Sequence, residues 1–128
     1  GGAGLSALLD DLAVSLSAAL PAGMDAAQAS ALTAPVLARF ARLRQITAQV
    51  AEAARTDATL PYWVADDYLR AAALALLGWA GARIEAMLTA DTPDLVSRWQ
   101  TPAQALRSWV LPEFEMRAGI VAARCTGT

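Results

Sequence analysis

Leu5, Leu8, Leu9, Leu12, Leu16 and Leu20 recur at intervals of three and four residues. An α-helix stacks such positions on one side, whereas a strand would alternate them between two faces. This stripe predicts a first helix from Leu5 to Leu20, with Asp10, Asp11, Ser15 and Ser17 largely off the apolar side and Pro21, Ala22 and Gly23 ending it. The same period continues. Asp25 is placed to cap a second helix that runs toward Arg55, with Leu32, Val36, Phe40, Leu43, Thr47 and Val50 inward. Arg39, Arg42, Arg44, Gln45 and Gln49 are expected on its outer side, and Pro35, inside the run, predicts a kink or a fresh start capped by Thr33.

Residues Thr56 to Pro61 read as a loop, followed by a third helix from Tyr62 to about Ala90. Its stripe is Leu69, Ala73, Leu76, Leu77, Ala80, Ile84, Met87 and Leu88, expected to face the core. Thr92 and then Pro93 give the signature of a helix start, and so do Thr101 and Pro102. The chain is thus expected to make a short turn through Trp99 and a last helix to about Ala123, kinked at Pro112. No β-hairpin signal, internal repeat or low-complexity linker interrupts this pattern. The fold expected is an all-α, antiparallel four-helix bundle forming one domain over residues 1–128, with flexible ends at 1–4 and 125–128. The 56% hydrophobic content, much of it alanine, suits helices packed through small side chains, and 128 residues need no metal or disulfide staple.

Composition removes several chemistries. There is no His, so the usual acid–base group near neutral pH and the commonest metal ligand are missing. With one Cys besides, a zinc site is not expected, nor are the Glu-x-x-His pairs of a di-iron bundle. Gly1, Gly2 and Gly4 follow no strand and make no phosphate-binding turn. All ten basic residues are Arg, yet the net charge is −2, which argues against nucleic acid and anionic lipid as partners. The runs Ala26–Ala38 and Ala71–Ala82 fall short of the roughly twenty apolar residues a membrane span needs, so none is expected. The lone Cys125 fits a reducing compartment, the cytoplasm. The chain starts at Gly1 without Met and basic n-region, as expected of a processed chain or part of a larger one.

No catalytic, cofactor-binding or metal-binding residue is expected. Asp66 and Asp67 are adjacent acids near a helix start, where the helix dipole favours them, and Glu113 and Glu115, two apart, point to different sides of their helix. Arg39, Arg42 and Arg44 read as a solvated face or as partners for the acidic first helix. Trp63 and Trp109 are candidate interface residues, because Trp is enriched at binding hot spots, while Trp79 beside Gly78 is expected in the core. Gly78 and Gly81 each weaken a helix interior by about 1 kcal/mol relative to Ala, so they are candidates for close helix packing.

Leu60-Pro61-Tyr62, Tyr68-Leu69-Arg70, Gly78-Trp79-Ala80-Gly81-Ala82-Arg83 and Trp109-Val110-Leu111-Pro112-Glu113 together resemble the C-terminal accessory domain of bacterial acyl-CoA dehydrogenases, in the subgroup that includes the methylmercaptopropionyl-CoA dehydrogenases. The resemblance departs at Ala71–Ala73, where the family often has Phe-Gly, and at Ala105–Ser108, where it commonly has a Lys and an aromatic pair. It implies a parent oxidoreductase of fatty acid metabolism that binds FAD and oxidises acyl-CoA thioesters, with the flavin and the Glu base in a preceding core. No residue of this chain inherits either role. The implied part is a non-catalytic helical domain that packs on the dehydrogenase core or on a partner subunit, with a homodimer as one form. The residues alone leave two other readings open, a freestanding helical self-association module and a bundle that binds a small ligand between its helices.

Overall fold

The computed structural model describes residues 2–90 and 93–127. Helix α1 spans Gly2–Ala19, α2 Ala26–Ala53 and α3 Leu60–Ala90. The last rod is made of α4 (Pro93–Ala105), a π turn (Leu106–Val110) and α5 (Glu113–Thr126). Asp25 caps α2 as expected, its carboxylate accepting from the Gln28 N–H at 2.8 Å. The loop before α3 is tied by Asp57, which accepts from both the amide (3.0 Å) and the hydroxyl (2.6 Å) of Thr59. α3 therefore starts at Leu60, and Pro61 falls in the first turn, where its missing N–H is not needed.

The prolines act differently from the sequence expectation. α2 runs through Pro35 without a second start, and the Thr33 hydroxyl bonds back to the Ala29 carbonyl at 2.9 Å instead of capping. Pro35 has no N–H to give the Ala31 carbonyl, a loss one position of a 28-residue helix absorbs. α4 likewise runs unbroken through Trp99, Thr101 and Pro102. Thr92, the expected cap, lies outside the described residues. The real break comes before Pro112. Pro112 cannot supply the N–H that the Ser108 carbonyl would take in an α-helix. The chain widens instead, and Leu111 N–H donates to the Leu106 carbonyl five residues back at 2.9 Å. Pro112 then caps α5 rather than kinking it. Cys125 and Thr126 continue α5 instead of fraying, and Gly127, with φ 74°, closes it by donating to the Ala123 carbonyl. At the other end, Gly2 to Gly4 already belong to α1.

The rods form an antiparallel four-helix bundle. Thr47 hydrogen-bonds Tyr68 at 2.7 Å between α2 and α3, and Arg117 pairs with Asp67 at 2.8 Å between α5 and α3. α2 and α3 pack on each other along the short diagonal, α1 and α5 each pack on both, and α4 packs on α3. Trp79 fastens α1. Its indole N–H donates to the Leu12 carbonyl at 2.7 Å, and Arg83 covers the ring at 5.4 Å while reaching Ser15.

The core contains Leu9, Leu16, Val36, Phe40, Leu43, Ile46, Leu60, Val64, Leu74, Phe114 and Val121, together with the alanines Ala71, Ala75, Ala82 and Ala118. This corrects the expected face of α3. Leu69, Leu76, Leu77 and Met87 point outward, and so does Ala73. α3 is apolar on both sides, and its smaller side is the inner one. Alanines let the α2 and α5 backbones approach, whereas a row of leucines would hold them off.

Candidate functional site

α4 follows α3 and leaves α2, so a groove opens between α2 and the last rod. Its deepest part is a partly open cavity of about 180 Å³ floored by Leu32, Val36, Ala82, Ala103, Leu106 and Leu111. Toward the N-terminus of α2 the groove widens past Met24, Gln28, Leu88 and Gln100 into a further space of about 280 Å³. At the other end, Pro35, Ala38 and Pro112 border a third recess beside Glu115.

Four charged residues line this groove: Arg39 from α2, Glu85 from α3, Arg107 from the π turn and Glu115 from α5. Glu85 and Arg107 pair at 3.1 Å across the α3–π-turn contact. Burial pushes the Glu85 carboxyl above its ordinary range, with Arg107 pulling partly back. The Arg39 guanidinium is part-buried and makes no ion pair or hydrogen bond among the described residues. Desolvation lowers its pKa, and the field of Glu115 only partly compensates.

The raised Glu85 carboxyl carries a sign. A group that binds its proton more tightly folded than unfolded favours the fold at low pH, and that contribution disappears as pH rises through the folded value. Wild type should therefore lose stability relative to Glu85→Gln as pH rises above the ordinary carboxylate range, as read by denaturant unfolding of both proteins. Parallel stability curves would remove the burial argument.

The glycines stand at the groove. A Cβ on Gly81 would lie 2.6 Å from the Leu106 side chain, and one on Gly78 would lie 2.9 Å from Arg39 Nη1 and 3.4 Å from Leu111. Both glycines thus make room for side chains from α2 and the last rod, not for another backbone. Trp63 lies in the first turn of α3 and Trp109 in the π turn, and both are largely exposed. They do not share a patch. Leu111 touches Gly78, so about 20 Å of α3 separates the two.

The other candidates are drawn into pairs. Asp66 holds Arg70 at 3.3 Å, and Arg117 holds Asp67 and, at 3.6 Å, Glu113. Arg44 pairs with Asp10 of α1, and Arg42 bonds Gln45 at 2.7 Å. Gln49 is not on an outer face; its side-chain oxygen is buried without a hydrogen-bond partner. Burial pushes the Cys125 thiol up, which disfavours the thiolate. Among the described residues no three His, Cys, Asp or Glu side chains cluster as metal ligands would.

No family model, curated protein or solved structure matches the chain. The site is therefore read from its own chemistry, and that includes a second surface, the outer side of α3. Tyr62, Leu69, Leu76, Leu77 and Met87 are exposed there, and Leu69 keeps 64% of its surface. α1 and α3 each contain a stretch long and apolar enough to cross a membrane, with mean hydropathy 1.2 and 1.4. For α3 the cause is this doubly apolar character, since alanines and leucines on opposite sides add to one average.

Proposed function

We propose that the chain is a non-catalytic accessory domain of an FAD-dependent acyl-CoA dehydrogenase, and that it packs the outer side of α3 on the dehydrogenase core. The exposed apolar side of α3 is the observation that carries this reading. Five large side chains at about 100 Å² each, with the alanines between them, approach the roughly 600 Å² at which inter-domain interfaces begin. An apolar patch of that size is at the upper end for a monomer and commonly marks an interaction site. The motifs Tyr68-Leu69-Arg70 and Gly78-Trp79 lie on this same helix, and Leu69 of the first is on its exposed side. The exposed Asp66–Arg70 pair on α3 favours a protein neighbour over lipid.

On this reading the flavin and the catalytic base reside in the core, and the isolated chain is colourless and inert toward acyl-CoA. The reading frame ahead of Gly1 is the direct test. A flavin-dehydrogenase core there supports the proposal, whereas a start codon next to Gly1 or an unrelated upstream domain overturns it. In the parent enzyme, Leu69→Glu with Leu77→Glu should loosen the domain and lower the melting temperature while leaving the isolated domain folded. A parent indifferent to both changes would place the contact elsewhere.

The exposure of Trp63 and Trp109 favours a second reading, self-association of this chain. Sedimentation over a wide concentration range separates the two. A Trp109→Ala-sensitive dimer of the isolated chain supports self-association, and a monomer throughout excludes it.

A further inference from the structure

The groove between α2 and the last rod has a use that packing on a core does not explain. We propose that it binds a monoanionic amphiphile, a medium-length alkyl carboxylate, with the head group on Arg39 and the tail running along the groove toward Met24. Three independent features converge there.

The first is the cation. Arg39 is part-buried, borders the deepest cavity and has no hydrogen-bond or ion-pair partner among the described residues, Glu115 acting on it only from beyond ion-pair range. A part-buried guanidinium in that state keeps free donors at the cavity that a carboxylate would satisfy in bidentate fashion.

The second is the charge count. Arg107, the other cation in the groove, is already paired with Glu85. Glu115 is exposed and beyond ion-pair range, so the Arg39 guanidinium is the local positive charge open to one carboxylate, and Glu85 and Glu115 would repel a second negative charge. This favours a carboxylate over a phosphate dianion.

The third is shape. An apolar cavity of roughly 150 Å³ accommodates a benzene-sized body. Here about 180 Å³ is floored by Leu32, Ala82, Leu106 and Leu111, and it continues into the space bordered by Met24 and Leu88. The tail thus has an apolar path leading away from Arg39 along α2. The cavity is also built by unusual local structure. The π turn sets Leu106 against Gly81, and Gly78 leaves room for the Arg39 guanidinium. π turns inside helices recur at functional sites.

The test is calorimetric titration of the 128-residue chain with octanoate, octanol and octyl phosphate, each below its micelle-forming concentration. Octanoate should bind one-to-one and more tightly than the other two. Arg39→Gln should weaken octanoate about tenfold or more while leaving octanol unchanged, and Arg39→Lys should retain part of the affinity. Octanoate should shift the methyl resonances of Ala31, Ala82 and Ala103 but not those of Leu69 and Leu77. Equal octanoate affinity in wild type and Arg39→Gln overturns the proposal. So does binding confined to the outer α3 methyls, tighter binding of octyl phosphate, or no saturable octanoate binding. Should Arg39→Gln fail to fold, Ala103→Phe, which fills the cavity from α4, replaces it: retained octanoate binding in that variant also overturns the proposal. Octanoate affinity in the Arg39 and Ala103 variants does not depend on what the outer side of α3 contacts, so this inference and the accessory-domain reading stand or fall separately.

Discussion

Phe40→Ala is expected to remove about 3–5 kcal/mol of stability, read as a fall in the denaturant midpoint with an unchanged slope. Phe40 is fully buried near the middle of α2, within the core that also holds Phe114 of α5 and Val64 of α3. The surrounding core is close-packed and relaxes only partly into the vacated space. A domain of this size has roughly 5–15 kcal/mol in total, so the loss is a large share of the whole. A loss below about 1 kcal/mol would mean that α2 is not packed on α3 and α5 as described.

Ala75→Leu is the second large effect, and its sign runs against intuition about hydrophobic substitutions. Ala75 is fully buried on the inner side of α3, where α2 and α5 converge. Three added carbons have no space there and must push a neighbouring rod outward, at about 1–3 kcal/mol or more. Leu77→Ala, two residues along, removes a larger side chain from the exposed side and should stay within about 0.5 kcal/mol of wild type. The pair of melting curves decides which side of α3 faces inward. If Leu77→Ala proved the more damaging, the leucine face would be the core after all.

This inversion marks where the sequence could be read and where it could not. The number of rods, the Asp25 cap and the inner stripe of α2 through Val36, Phe40 and Leu43 follow from periodicity and capping chemistry alone. The face of α3 does not. Leu69, Leu76 and Leu77 form one helical stripe and Ala71, Ala75 and Ala82 another, and hydrophobicity prefers the leucines. The outcome turns on how closely α2 and α5 approach, which is a property of three helices and not of one. The groove was hidden for the same reason. In the sequence Arg39 reads as one of three surface arginines, and only the departure of α4 from α2 leaves it beside an apolar hollow. Gly78 and Gly81 did carry a signal, since two helix-weakening residues three apart imply something pressed against them. That this something is the Leu106 and Arg39 side chains needed the structure.

The widened turn at Leu106–Val110 also fixes how the two halves of the last rod are phased. One surplus residue rotates everything upstream by about 100° relative to a continuous α-helix. Ala103 and Leu106 therefore look toward α3 and the hollow, while Phe114 and Ala118 keep their own alignment with the core. Excising a single residue such as Ser108 would restore ordinary winding and swing α4 around its axis by that angle. Leu106 would leave Gly81, the hollow would lose a wall, and α5 would barely notice.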